Sequence, residues 1–308
     1  MTRRKRPHVF VAAAVIAVLA MATAIPSAQA SLVNLEALQS ANSSLEFQYA
    51  FEGADDSTRL ADGSGNGYTL QRLNGADGGD VNDIQFLPGF GGASQAYRPA
   101  SDATNYRIGA GLNSISTTIP ISSTVTVESV VQMDAYTLSN SNGSYVLSAR
   151  PQPANGRAYF LRQLTGPDRL ATTLGDTFGD LGGNIAYSAG DWYYLAMVAS
   201  YDSGGNQSTV SWYYANLSAG ETSLTAIGPD NTLFQGDWTG DAQIGIGNFL
   251  NGTQEYMQGS VDNIALYNSN LDEATLQSHL EAIYVPEPAT LSLLALAVGL
   301  LAVVRRQR

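Results

Sequence analysis

The chain has 308 residues, with 15 basic and 27 acidic side chains, a formal net charge of −12 and no cysteine. Four basic residues precede position 7 and three follow position 304, so residues 31–285 carry eight arginines, no lysine and 26 acidic residues, about −18. With acidic residues outnumbering these few cations about threefold, such a stretch repels nucleic acid and anionic membrane surfaces. Without cysteine, thiolate metal sites, thiol nucleophiles and disulfide exchange are excluded as well.

The chain opens on Arg3, Arg4, Lys5 and Arg6, then the apolar run Val9 to Ile25, then Ala28-Gln29-Ala30. A basic start, an apolar stretch and a small-x-small site predict a cleaved export signal over 1–30, with Ser31 as the new start. Next, SLEFQYAF (44–51) alternates, placing Leu45, Phe47, Tyr49 and Phe51 on one face. TVTVESVVQMDAY (124–136) does the same with Val125, Val127, Ser129, Val131 and Met133. YVLSAR, AYFLRQL, DWYYLAMVASY, STVSWYYAN, AQIGIGNF and GSVDNIALY follow, separated by turns such as DSGGNQ (202–207). Short alternating segments between Gly/Asn/Asp turns predict one all-β sandwich over 31–284. One helix is predicted in SNLDEATLQSHLEAIY, where Leu276, Leu280 and Ile283 fall at i, i+4 and i+7 and Asn270 with Glu273 has capping-box spacing.

The chain ends on VPEPATLSLLALAVGLLAVVRRQR (285–308). As a helix the 16 residues Ala289 to Val304 would measure roughly 24 Å, a little short of a bilayer core of about 30 Å, with the arginines beyond it. The order of Pro286-Glu287-Pro288, apolar run, and Arg305, Arg306 and Arg308 resembles the PEP-CTERM sorting signal. The resemblance implies a Gram-negative exporter, an exosortase as partner, a single transmembrane sorting helix inserted transiently, and delivery to the cell surface or extracellular matrix. Residues 44–284 resemble the laminin G-like, concanavalin A-like jelly roll. The carriers are FEGADDSTRLADGSGNGYTL (51–70), DWYYLAMVASYDSGGNQSTVSWYYAN (191–216) and GSVDNIALYNSNLDEATLQSHL (259–280). That resemblance implies two packed antiparallel sheets and a short C-terminal helix. Its functions run from sugar binding and adhesion to catalysis, so it fixes no activity.

Candidate chemistry is sparse. Glu128 and Asp134, six residues apart on one strand, would stand roughly 20 Å apart, too far for a glycosidase pair. His279 is the one histidine after residue 30 and sits among helix leucines, where a packed imidazole is expected. Asp55, Asp56, Asp62 and Asn66 supply calcium-type oxygens within a dozen residues. The jelly-roll resemblance implies that Asp262 comes near that turn and that a structural calcium is held there by Asp56, Asp62, Asn66 and Asp262. The same residues read equally as turn chemistry, with Asx hydrogen bonds and positive-φ glycines. Trp192 and Trp212 lie in apolar runs and read as core, whereas Trp238, flanked by Asp237, Asp241 and glycines, reads as a loop residue for stacking on a glycan. The expectation is a non-catalytic, carbohydrate-binding or adhesive surface or exopolysaccharide-matrix protein. The alternatives are a polysaccharide-cleaving enzyme on the same fold and a purely structural matrix component.

Overall fold

The computed structural model describes residues 32–285, apart from 75–77, 93, 102–107, 115–116, 136–143, 153–157, 165–168, 175–180, 233–235 and 250–254. The export signal 1–30 and the tail residues Pro286, Glu287, Pro288, Arg305, Arg306 and Arg308 lie outside the described residues. Among the described residues no helix is long and apolar enough to cross a membrane.

Helix α1 (Val33–Ser40) leads into β1 (Leu45–Tyr49) and the single turn α2 (Asp56–Arg59). Then come β2 (Gln71–Asn74), β3 (Gln85–Pro88), β4 (Gln95–Arg98), β5 (Ala100–Ser101), β6 (Gly109–Asn113), β7 (Ile119–Ile121) and β8 (Thr124–Met133). The second half holds β9 (Ser144–Gln152), β10 (Ala158–Leu164), β11 (Arg169–Leu174), β12 (Leu181–Ala186), β13 (Trp192–Asp202) and β14 (Gln207–Asn216). It closes with β15 (Thr225–Thr232), β16 (Gly240–Ile246), β17 (Gly259–Tyr267) and α3 (Glu273–Ile283).

The first sheet runs β15-β14-β13-β8-β17-β4-β3, with β1 also on β17, and the second runs β12-β11-β10-β9-β16-β6-β2, with β5 on β6 and β7 on β16. The alternation read from the sequence sets the register: Met197 pairs with Val127 on one side and Trp212 on the other. Between the sheets Phe47, Tyr49, Val127, Trp212, Phe160 and Ile244 are fully buried. This two-sheet all-β sandwich with a C-terminal helix is the architecture expected.

The C-terminal helix packs on the sandwich as expected, and a second helix that was not expected lies beside it. Helix α1 joins α3 on the outer face of the first sheet, where Leu35, Val130, Tyr194, Tyr267, Leu276, Leu280 and Ile283 form a second apolar cluster. Sheets that carry helices on one face bury both strand faces. Tyr193 and Tyr194 are therefore both buried, one in each cluster, and neither offers an exposed ring. The cap of α3 also differs from expectation. Asp272 accepts from the Thr275 amide at 2.8 Å, while Asn270 donates to Ser200 Oγ at 2.6 Å.

Candidate functional site

Trp238 does not present a face to solvent. It is fully buried, donates Nε1–H to Ser208 Oγ at 2.8 Å, and meets Phe160 and Tyr201 edge-on at 6.1 and 6.3 Å. Its glycines and aspartates mark the turn that enters β16, not a loop for the indole itself. Asp237 accepts from the Thr239 amide and hydroxyl at 2.8 and 2.6 Å, and Asp241 stands exposed on β16. The expected glycan triad therefore has its carboxylates outside and its ring inside.

The four residues expected to hold calcium are each engaged elsewhere. Asp56 bridges Arg72 at 2.6 Å. Asp62 accepts from the amides of Gln48, Ser64 and Gly67 and from Ser64 Oγ at 2.7–3.1 Å, which is Asx-turn chemistry. Asn66 donates to the Glu46 carbonyl at 2.8 Å. Asp262 Oδ2 accepts from the Phe90 amide at 2.5 Å and Ser94 Oγ at 2.7 Å. Among the described residues no group of three or more His, Asp or Glu side chains is placed to hold a metal. These residues do not fit one calcium ion.

An open depression of about 420 Å³ lies between α1, the end of β1 and α2. Its walls carry Glu36 from the first turn of α1, Glu52 beyond β1, Ser40, Gln48 and Thr58, beside the apolar Val33 and Ala37. The backbone here is strained: Phe51 has φ 57°, a left-handed conformation unfavourable for a bulky residue. Burial of its ring against Tyr97, 5.4 Å away, holds it there. The kink turns Glu52 toward β4, where its Oε1 accepts the Gln95 amide at 2.7 Å. Burial raises the Glu36 carboxyl to about 7, and the charge of Glu52 adds to it. Burial also raises Glu52, against the hydrogen bond from Gln95.

Asp262 belongs to the same electrostatic group. The register of β17 against β8 shifts between Val261 and Asn263, so Asp262 occupies a bulge, a feature that re-aims a side chain. Its Oδ2 is held by the segment that begins β4, one residue from the amide that holds Glu52, and its Oδ1 is buried with no hydrogen-bond partner among the described residues. Burial raises the Asp262 carboxyl to about 8, against hydrogen bonds from Ser94 and Phe90, with the charges of Glu52 and Glu36 contributing further. A raised carboxyl contributes stability in full below its unfolded value of 3.8, and that contribution is lost as pH rises through about 8. Melting temperature should therefore fall as pH rises from about 5 to about 8, and Asp262→Asn should flatten that slope. A slope unchanged in the variant would sink this assignment.

A second polar centre is closed to solvent. Glu128 on β8 points into the helix-covered layer and is completely buried. Tyr267 donates to its Oε2 at 2.6 Å, Tyr194 to its Oε1, and Gln39 from α1 to Oε2 at 3.2 Å. His279 Nδ1 from α3 lies 2.9 Å from Oε1 and 3.1 Å from Oε2. Burial opposes ionisation of Glu128, yet His279 and the two phenols outweigh it and hold the carboxyl below its usual range. The expected packed imidazole is thus hydrogen-bonded to a buried carboxylate. The signal that could have found it is a lone glutamate on the apolar strand β8 and a lone histidine among the leucines of α3. Asp134 instead pairs with Arg98. With no opening to solvent, Glu128 holds elements together; it has no substrate within reach.

Residues 285–308 match the PEP-CTERM protein-sorting motif, so the chain carries an export-linked sorting tail. Comparison with curated proteins gives no match. Among solved structures, domain 4 of AbnA, a GH43 extracellular arabinanase from Geobacillus stearothermophilus in complex with arabinotriose, is 18% identical. It covers 77% of this chain and 98% of its own, with a TM-score of 0.47. The receptor binding domain of botulinum neurotoxin type G is 12% identical over 78% of this chain and 51% of its own, with a TM-score of 0.48. Trypanosoma rangeli sialidase in complex with the inhibitor DANA is 13% identical over 91% of this chain and 39% of its own, with a TM-score of 0.45. These likenesses concern the stacking of antiparallel sheets and nothing finer.

Proposed function

We propose that this chain is a non-catalytic, laminin G-like adhesive module that binds a neutral polysaccharide at the cell surface or in the matrix of a Gram-negative bacterium. Its tail holds it in the membrane by a single helix until an exosortase processes it. The observation that carries the binding reading is the depression between α1, β1 and α2. There, hydrogen-bonding groups of Glu36, Glu52, Ser40, Gln48 and Thr58 line one concavity with the apolar Val33 and Ala37. Polyhydroxy ligands need that mixture of converging polar groups and apolar surface. Glu36, raised to about 7, would donate a hydrogen bond from its protonated carboxyl to a sugar hydroxyl oxygen in acid and lose that donor above neutrality.

One feature favours a second reading, polysaccharide cleavage. Two carboxylates with raised values face one depression, the pairing a glycosidase uses as acid and base. A glycan array and a reducing-sugar assay separate the two. Binding is expected without release of reducing ends, weaker by about tenfold in Glu52→Gln, a loss near 1.4 kcal/mol. Reducing ends released by the native chain and lost in Glu36→Gln would establish the enzyme; binding unaffected by both substitutions would place the ligand elsewhere.

A further inference from the structure

Both ends of the described chain meet at one corner. Leu32 enters α1, and Asn34 Nδ2 donates to the Val285 carbonyl at 3.0 Å, while α1 packs on α3. The surface there is unlike the rest of an acidic domain. Val33, Leu38 and Val285 are the large hydrophobic side chains exposed among the described residues, at 55%, 41% and 49%. Ala37 and Ala41 are exposed beside them, whereas Leu35 and Gln39 on the opposite side of α1 are buried. At 100° per residue, positions 33, 37, 41, 34 and 38 share one flank of α1, with the Asn34 amide turned onto the Val285 carbonyl. The flank's edge at Val33 and Ala37 borders the depression, which Glu36, the helix's one charged residue, faces.

We propose that this flank of α1, with Val285, is a lipid-contacting surface that seats in the headgroup layer of the bilayer while the tail is inserted. The inference rests on the anchoring reading above, and the chain length outside the structure selects the occupant. Val285 is four residues from Ala289, where the apolar run begins, a reach of at most about 14 Å even when fully extended. The headgroup layer is about 5–8 Å thick on each side, so the corner is held at the membrane surface. Before removal of the export signal, its apolar run Val9 to Ile25 leads into the same corner through seven residues. A helix lying in the interface needs an apolar flank, which α1 has. With about −18 on residues 31–285, attraction to anionic lipid contributes nothing, so the contact is apolar and suits zwitterionic lipid.

The absence of cysteine permits single-site labelling. Full chain is inserted through its tail into phosphatidylcholine vesicles, with a fluorophore on Leu38→Cys or, as control, on Ser101→Cys, exposed on the second sheet. Insertion is checked by flotation. Iodide quenching at position 38 should fall by about threefold or more on insertion and stay unchanged at 101. With the label moved to Ala41→Cys, Leu38→Glu should abolish the shielding while flotation and melting temperature persist. Flotation without shielding overturns the surface and leaves the anchor standing. Failure to float overturns both. Shielding that depends on protein density in the vesicle shows a second copy as the occupant and overturns the lipid assignment.

Discussion

Glu128→Ala is expected to remove about 3–5 kcal/mol of stability, since several buried donors lose their acceptor at about 1–3 kcal/mol each. The substitution deprives four donors of their acceptor at once: His279, Tyr194, Tyr267 and Gln39. Each donor is buried, so water cannot replace the carboxylate. For a domain whose total stability is about 5–15 kcal/mol, this is roughly a fifth or more. Because Gln39 lies on α1 and His279 on α3, the helices should loosen before the sheets. Urea denaturation followed by tryptophan emission measures the loss, and hydrogen exchange at Leu276 to Ile283 localises it. The pH sign follows from the lowered carboxyl. Its contribution is present above its unfolded value of 4.5 and disappears as pH falls through the folded value. Together with Glu36 and Asp262, which act in the opposite sense, this sets maximal stability in the weakly acidic range. A loss under about 1 kcal/mol in Glu128→Ala would mean that the centre is wet.

Trp238→Ala should cost a comparable 3–5 kcal/mol, the usual toll of emptying an indole-sized space in a packed interior. It removes the edge contacts to Phe160 and Tyr201 and leaves Ser208 Oγ without its donor. Trp238→Phe retains most of the volume, so the fold should survive it with glycan affinity unchanged. A folded Trp238→Phe protein without affinity would restore the indole to the ligand site and overturn its assignment to the core.

Where a pattern was local, the sequence revealed it. Val125, Val127, Val131 and Met133 alternate because one face of β8 meets the second sheet, and they are buried there. The stripe Leu276, Leu280 and Ile283 likewise packs as its spacing predicts. Helix α1 escaped notice because it is a helix of 8 residues whose N-cap, Leu32, makes no side-chain cap, and because its buried side includes the polar Gln39. The Glu128–His279 pair joins residues 151 apart, and no local period encodes a contact of that range. Trp238 misleads for a related reason. Gly236, Asp237, Gly240 and Asp241 around it are turn chemistry, but its burial is decided by Ser208 on β14, 30 residues away. The strain at Phe51 is equally invisible, since nothing in the residue itself calls for a left-handed backbone.

The position of β17 in the first sheet bears on the order of events during export. The last strand among the described residues lies between β8 and β4 and also carries β1, so it closes onto three strands that all precede residue 134. A chain emerging from its amino end can form the β13–β14 hairpin as soon as both strands are out, but the sheet keeps a gap between β8 and β4 until residues 259–267 follow. Such distant pairings come late because their loops must close first. The apolar run begins at Ala289, only 22 residues beyond Tyr267. The strand that closes the first sheet thus stands next to the sorting tail in the chain, so the sheet can be completed only shortly before that tail follows.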